Sequence, residues 1–239
     1  MKRGSFGFET NEIRKFVFLS AFIASIAVAS VAQAAPNLVL EFLAGPDNST
    51  ENTGVRARLT FSFFDEPGDD LVSVEITNTT PPEIGSSLTS IGLEWPFVIA
   101  DPVFAPGGMG VYFDHLDYDV NVHPDWINGA DGYDAVLTGD GSFEGGMPLG
   151  APLEGESDVV VWSVGNTGLS ADELFEVFHD FYSTSPPPLA VARFQAIGGE
   201  NDFSDKVIVT TYLPEPSCLL LLGLGGLLAN KRRFLKHLA

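Results

Sequence analysis

The sequence is short of cysteine and of basic residues, and both shortages limit what the protein can be. The single cysteine, Cys218, lies close to the C-terminal end. The rest of the chain therefore has no disulfide to stabilise it and depends on packing, or on a bound metal. Residues 35–213 carry 29 acidic residues but only four basic ones, Arg56, Arg58, Arg193 and Lys206. A segment with a net charge of −25 cannot replace the counterions on phosphates, so nucleic acid is excluded as a partner.

The motifs of common enzyme classes are absent as well. The sequence has no Walker loop, no His-Glu-x-x-His pair and no complete dinucleotide-binding fingerprint, and Ser163 lacks the first glycine of a nucleophile elbow. His115 and His123 are poor zinc ligands as a pair, because no cysteine lies near them. We predict that the protein is not an enzyme. One alternative stays open, a secreted carbohydrate-active enzyme that uses a carboxylate pair in residues 114–140.

The apolar run near the C-terminus is too short for a comfortable membrane anchor. Residues 218–229 carry no charge, but at ~1.5 Å per residue they cover only about 18 Å of a hydrocarbon core roughly 30 Å thick. The prolines of Pro214-Glu215-Pro216 keep the preceding segment extended, which is the shape that a protease cleft holds. The basic residues that follow predict a stop-transfer signal with the C-terminus in the cytoplasm. These are Lys231, Arg232 and Arg233.

This order of features resembles the sorting signal of the PEP-CTERM family of exported bacterial proteins. The resemblance covers residues 214–239 alone, with Cys218 and the extension at residues 234–239 as departures. It implies that Pro214, Glu215 and Pro216 are sorting and processing residues. It also implies that the chain is the substrate of an exosortase, a cysteine-dependent membrane transpeptidase, and accompanies exopolysaccharide or biofilm production.

The N-terminal segment has the pattern of a cleaved signal peptide. Basic residues precede an apolar stretch at residues 16–31, and Ala32 and Ala34 supply the small side chains that signal peptidase requires. We predict cleavage after Ala34 and export of the middle of the chain to the cell envelope or the extracellular space. The predicted organisation is a signal peptide at 1–34, an acidic ectodomain at 35–213 and a sorting signal with a short transmembrane helix at 214–239.

The ectodomain is predicted to be mainly β, a jelly-roll-like β-sandwich with one short helix. Short runs rich in Val, Ile, Phe and Thr alternate with turn residues. The predicted strands are residues 37–43, 55–64, 71–78, 97–103, 111–113, 158–164, 189–197 and 206–213. The helix is predicted to begin after Ser170, with Glu173 completing a capping box and Leu169 contacting Leu174.

An acidic, glycine-rich segment at residues 102–156 contains the candidate ligands for a hard cation. Calcium prefers oxygen ligands from flexible acidic loops, but the spacing does not match an EF-hand. A calcium-stabilised carbohydrate-binding module is therefore an alternative, and a solvated acidic loop is the other. The candidate residues for calcium or another ligand are Asp114, Asp117, Asp119, Asp131 and Asp134.

Aromatic residues next to carboxylates suggest sugar binding, because a flat ring stacks on a pyranose face. The candidates are Trp95, Tyr112, Tyr118, Trp126 and Trp162. Trp162 is predicted to be core because it ends an apolar run, and Trp126 is the best exposed candidate because its surroundings are typical of a loop. Taken with the sorting signal, these features predict an exported surface or matrix protein with a structural or adhesive role. Its expected partners are signal peptidase, exosortase, the membrane before processing, and exopolysaccharide.

Overall fold

In the residues that the structure describes, the protein is mainly β, with two antiparallel sheets and one α-helix. The computed structural model describes residues 36–127, 132–139, 142–144, 151–184, 189–199 and 203–214. The mainly β prediction with one helix is confirmed. No helix in this described part is both long and apolar enough to cross a membrane. The predicted signal peptide and the apolar run at 218–229 lie outside it.

The first sheet has six strands in the order β11-β1-β2-β3-β8-β5. Three consecutive strands, β1 to β3, lie side by side in this sheet as a meander. This arrangement differs from a jelly roll, in which consecutive strands alternate between the two sheets. The strands are β1 (Leu38–Leu43), β2 (Arg56–Glu66), β3 (Asp69–Asn78), β5 (Val103–Phe104), β8 (Ser157–Ser163) and β11 (Thr211–Pro214).

The second sheet has five strands in the order β10-β9-β4-β7-β6. Its central strand, β4, is buried along its whole length. The strands are β4 (Ser87–Leu93), β6 (His115–Asp117), β7 (Ala135–Thr138), β9 (Ala190–Gln195) and β10 (Ser204–Ile208).

Both sheets and the helix contribute to one main hydrophobic core. The predicted alternation in β2 is confirmed, because Leu59, Phe61 and Phe63 are buried while Phe64 is 45% exposed. The α-helix α1 (Ala171–Thr184) packs its apolar side against this strand. Its Phe178 ring lies 5.1 Å from the ring of Phe63 and 4.8 Å from that of Trp95, centre to centre. Aromatic packing of this kind fixes the helix on the core.

The N-terminus of α1 forms the predicted capping box. The backbone N–H of Ser170 donates to Glu173 Oε2 at 2.8 Å, and the N–H of Glu173 donates to Ser170 Oγ at 3.3 Å. The Ser170 hydroxyl also donates to Glu173 Oε2 at 2.8 Å, and the pKa of Glu173 is lowered first by the backbone donor and then by this hydroxyl. The predicted core positions Leu174 and Phe175 are buried, and the helix ends at Thr184.

Two predicted strands are wrong. Within residues 97–103 only Val103 pairs with β8, and Phe97 is 91% exposed in a turn. Residues 111–113 form a loop because their N–H groups, which a ladder would use, all donate to the carboxylate of Asp158. The apolar residues at 97–102 and 111–113 therefore lie in loops and not in strands.

Three strands, β4, β6 and β7, were not predicted. The sequence of β4, Ser-Leu-Thr-Ser-Ile-Gly-Leu, has a weak strand signal because three of its seven residues are serine or glycine. Its hydroxyls are nevertheless satisfied when buried: Ser90 Oγ donates to the carbonyl of Phe143 at 3.1 Å, and Thr89 Oγ1 to that of Arg193 at 3.3 Å. Gly92 admits the close approach of Val191 and Tyr133.

The predicted strand 206–213 is two strands that belong to different sheets. Residues up to Ile208 pair with β9 in the second sheet, and residues from Thr211 pair with β1 in the first. Between them, the N–H of Val209 donates to the carbonyl of Ala190 and the N–H of Thr210 to that of Glu41. The chain therefore crosses from one sheet to the other at Val209 and Thr210.

Candidate functional site

The processing residues are only partly inside the described region. Pro214 is the last residue of β11 and lies opposite Leu38, near the start of β1. Glu215 and Pro216 lie outside the described residues, as do Lys231, Arg232 and Arg233 at one end and Ala32 and Ala34 at the other. The first proline of the motif thus marks the end of the described fold.

The predicted acidic ligands do not share one place. Asp134 Oδ2 accepts the N–H of Trp95 at 2.7 Å, and Asp114 Oδ1 lies 2.7 Å from His115 Nδ1. Asp117 lies on β6, Asp119 is an exposed residue with positive φ, and Asp131 lies outside the described residues. In the part that the structure describes, three ligand atoms come within 4.8 Å of one another only at Glu176, His179 and Asp180 on α1. The four described aspartates form no such group.

Three buried aspartates that the sequence analysis did not single out organise loops instead. Asp158 accepts the N–H groups of Val111, Tyr112, Phe113 and Val159, all at 2.8–2.9 Å. Hydrogen bonds to a carboxylate are stronger than those to a neutral acceptor, so these bonds hold residues 111–113 against β8. Gly110 allows this approach, because a Cβ there would lie 2.1 Å from Asp158 Oδ2.

Asp205 and Asp70 act in the same way. Asp205 is fully buried and accepts hydrogen bonds from the N–H groups of Glu51 and Thr53 and from the hydroxyls of Thr50 and Thr53, at 2.7–3.1 Å. Asp70 accepts the N–H of Thr167 at 2.7 Å and its hydroxyl at 2.5 Å. In each case the donors come from a loop close to the strand that carries the aspartate.

The aromatic candidates divide into core and surface residues. Trp162 is fully buried, as predicted, and Trp95 is 3% exposed with its Nε1–H bonded to the carbonyl of Ala100, so Trp95 is not a sugar platform. The Tyr118 hydroxyl donates to the carbonyl of Pro102 at 2.5 Å. The Tyr112 hydroxyl donates to Glu156 Oε2 at 3.2 Å, and that bond raises its pKa. Trp126 is 49% exposed.

Trp126 is held at the surface by its neighbour. It lies in a 3₁₀ turn, Asp125–Ile127, whose last residue is fully buried in a second hydrophobic cluster. The N–H of Ile127 donates to the carbonyl of Pro124 at 3.0 Å, and the Tyr133 hydroxyl donates to the carbonyl of Ile127 at 2.5 Å. The backbone of the turn is therefore fixed while its indole ring faces solvent.

The indole of Trp126 forms one wall of an open cleft of about 390 Å³. Thr50 and Glu51 also line the cleft, and they belong to the loop at residues 49–53 that Asp205 organises. Lys206 lines the cleft as well: its Nζ donates to Glu144 Oε1 at 2.6 Å and to the carbonyl of His123, and its backbone N–H donates to Thr50 Oγ1 at 3.1 Å. The lining residues are Thr50, Glu51, Pro124, Trp126, Ser204 and Lys206.

The chemistry of the cleft suits a small polar ligand with one flat apolar face. Its volume lies within the usual range for ligand sites, and four polar residues share its lining with the aromatic ring of Trp126. The sequence analysis found Trp126 but missed the partners that come from residues 50–51 and 204–206, far away along the chain. Comparisons with models of protein families, with curated proteins and with solved structures give no significant match.

Proposed function

We propose that the chain is an exported bacterial envelope or extracellular-matrix protein whose β-sandwich body has a structural or adhesive role alongside exopolysaccharide. In this proposal signal peptidase removes residues 1–34, and an exosortase acts at Pro214-Glu215-Pro216 while the apolar run at 218–229 holds the chain in the membrane. The proposal rests on the order of sequence features at both ends and on the pairing of β1 with β11.

The pairing of β1 with β11 is the observation that supports this proposal best. In this pair of strands, Glu41 lies opposite Thr211 and Leu38 lies opposite Pro214. Because the strands are antiparallel, the start of β1 and the end of β11 lie at the same end of the pair. The two predicted processing points are close in sequence to the two strand ends that meet there, Leu38 and Pro214.

The position of Pro214 is also suited to the end of a fold. Proline has no backbone N–H and is tolerated in sheets at edges, where no donor is needed. Strand β11 is an edge strand of the first sheet. Cleavage next to an edge strand would not require removal of a central strand.

An enzymatic role has less support from the site geometry. The carboxylate of Asp134, one member of the suggested carboxylate pair, is already bonded to the N–H of Trp95. Asp117 belongs to β6, which pairs with β7. We therefore keep the non-enzyme proposal.

Mass spectrometry of the mature protein tests the proposed processing. In cells that contain exosortase, the recovered chain should begin at Ala35 and lack residues 218–239. Glu215→Ala should block loss of the tail, whereas Glu83→Ala, at an exposed position in the body, should leave processing unchanged. Recovery of mature chains that still contain Arg233 and Ala239, whether or not the transpeptidase is present, would contradict the proposal.

A further inference from the structure

We propose that the cleft beside Trp126 is a binding site for an uncharged pyranose chain, with the indole as its stacking platform. This inference rests on the adhesive role proposed above and gives that role a ligand class. The site is composed of the turn Asp125–Ile127, the loop at residues 49–53 and the start of β10.

The indole supplies the apolar half of such a site. One face of a pyranose ring carries mainly C–H groups, which lose little when they leave water and contact an aromatic ring. Trp126 is 49% exposed although Ile127, next to it, is fully buried. The ring is thus presented on a turn that is already fixed, so little conformational freedom is lost on binding.

The rest of the cleft supplies hydrogen-bonding groups at its rim. The Glu51 side chain is exposed, and its backbone N–H is bonded to Asp205, so the carboxylate stands on an ordered loop. The hydroxyl of Ser204 lies in the same lining. A carboxylate and a hydroxyl are suitable partners for sugar hydroxyl groups.

Charge decides which sugars fit. The cation of the cleft, Lys206, is already paired with Glu144 at 2.6 Å, and its side chain is only 13% exposed. Glu51 therefore leaves the cleft acidic, within a body that carries 29 acidic and four basic residues. Uronate-rich or sulfated chains would be repelled, and uncharged hexose chains would not.

Fluorescence of the full chain tests this directly, since only three tryptophans are present. Trp95 and Trp162 are buried, so quenching by acrylamide reports mainly on Trp126. The chain should be kept in a detergent without a sugar headgroup. Cellohexaose, laminarihexaose and mannohexaose serve as uncharged probes and hexamannuronate as the anionic one. At least one uncharged probe should protect Trp126 from quenching, and hexamannuronate should not.

Variants then assign the binding to the cleft. Calorimetric affinity for the bound probe should fall by about tenfold or more in Trp126→Ala, as expected for a central aromatic contact. Trp126→Phe should lose less, and Glu51→Gln should weaken binding without changing the melting temperature. Phe97→Ala is the matched control, because it removes an aromatic side chain that is 91% exposed outside the cleft.

Three outcomes would overturn the site. These are no protection by any uncharged probe, tighter binding of hexamannuronate, or equal affinity in the wild type and in a Trp126→Ala variant with an unchanged melting temperature. None of them depends on cleavage at the C-terminal tail. Failure of this site is therefore distinguishable from failure of the proposed export and processing.

Discussion

At the scale of single residues, this protein uses buried carboxylates to hold loops. Asp70, Asp158 and Asp205 are each at most 5% exposed, and their oxygens accept hydrogen bonds from neighbouring loops. Hydrogen bonds to a charged partner are stronger than neutral ones. A chain with one cysteine thereby fixes irregular segments that disulfides fix in many exported proteins.

Asp158→Ala should destabilise the protein strongly. The substitution leaves the N–H groups of Val111, Tyr112 and Phe113 without their acceptor. A loss of about 3 kcal/mol in the free energy of unfolding is expected for several charge-assisted bonds at a buried site. Urea denaturation gives this value from the midpoint and slope.

Asp114→Ala is the control for that experiment. It removes the same charge from an exposed residue whose Oδ1 lies 2.7 Å from His115 Nδ1, and a surface pair contributes about 0–1 kcal/mol. Equal losses in the two variants would show that Asp158 does not organise residues 111–113.

At the scale of elements, the helix α1 is the feature whose local sequence and tertiary contacts agree most closely. Ser170 and Glu173 form the capping box, and the buried side of the helix carries Leu174, Phe175, Phe178 and Tyr182. The Tyr182 hydroxyl donates to the carbonyl of Glu94 at 2.8 Å, which ties the last turn to the end of β4. Burial raises the pKa of Tyr182.

Ser170→Ala should lower the free energy of unfolding by about 1 kcal/mol, because the N–H of Glu173 loses its cap. Ser183→Ala, the same substitution in the last turn of the helix, should change it much less. Thermal or urea unfolding checks both variants. A larger loss in Ser183→Ala would contradict the capping role of Ser170.

The cap also has a defined pH dependence. The pKa of Glu173 is lowered in the folded state, so its stabilising contribution is present above the unfolded value of about 4.3. That contribution is lost as pH falls through the lower folded pKa. The difference in free energy of unfolding between wild type and Glu173→Gln should therefore be larger at neutral pH than at a pH below the folded pKa of Glu173. Urea denaturation at the two pH values measures it.

At the scale of the whole molecule, the dominant property is a large negative net charge, −20 for the full chain. Self-repulsion among surface carboxylates opposes the compact state and is screened by salt. The buried carboxylates of Asp70, Asp158 and Asp205 have hydrogen-bond donors from the protein itself.

Thermal melts in different salts separate charge screening from a specific calcium site. Raising sodium chloride from low to physiological concentration should raise the melting temperature, by roughly 2–4 °C for each kcal/mol of relieved repulsion. At constant ionic strength, calcium and a chelator should give the same midpoint. A midpoint that rises only with calcium would restore the calcium-stabilised module, with Asp114, Asp117, Asp119, Asp131 and Asp134 as residues to substitute.

The sequence predicts much of the fold where one face of an element is apolar. Strand β2 and helix α1 follow their periodicity because burial of one side is their main source of stability. Strand β4 escaped prediction because both of its faces are buried among neighbours that accept its hydroxyls. Residues 111–113 were misassigned because a distant carboxylate, Asp158, takes their N–H groups.

By itself, the sequence determined the mainly β class, the capped helix, the acidic charge and the features at both ends that predict export and sorting. These are local properties: periodicity, capping residues, composition and the order of short motifs. Only the tertiary structure decided that β1 and β11 meet at one edge and that Trp126 shares a cleft with residues 50–51 and 204–206. Such contacts join residues that are far apart in the chain. Local patterns along the sequence do not specify them, because they arise only when distant elements pack together.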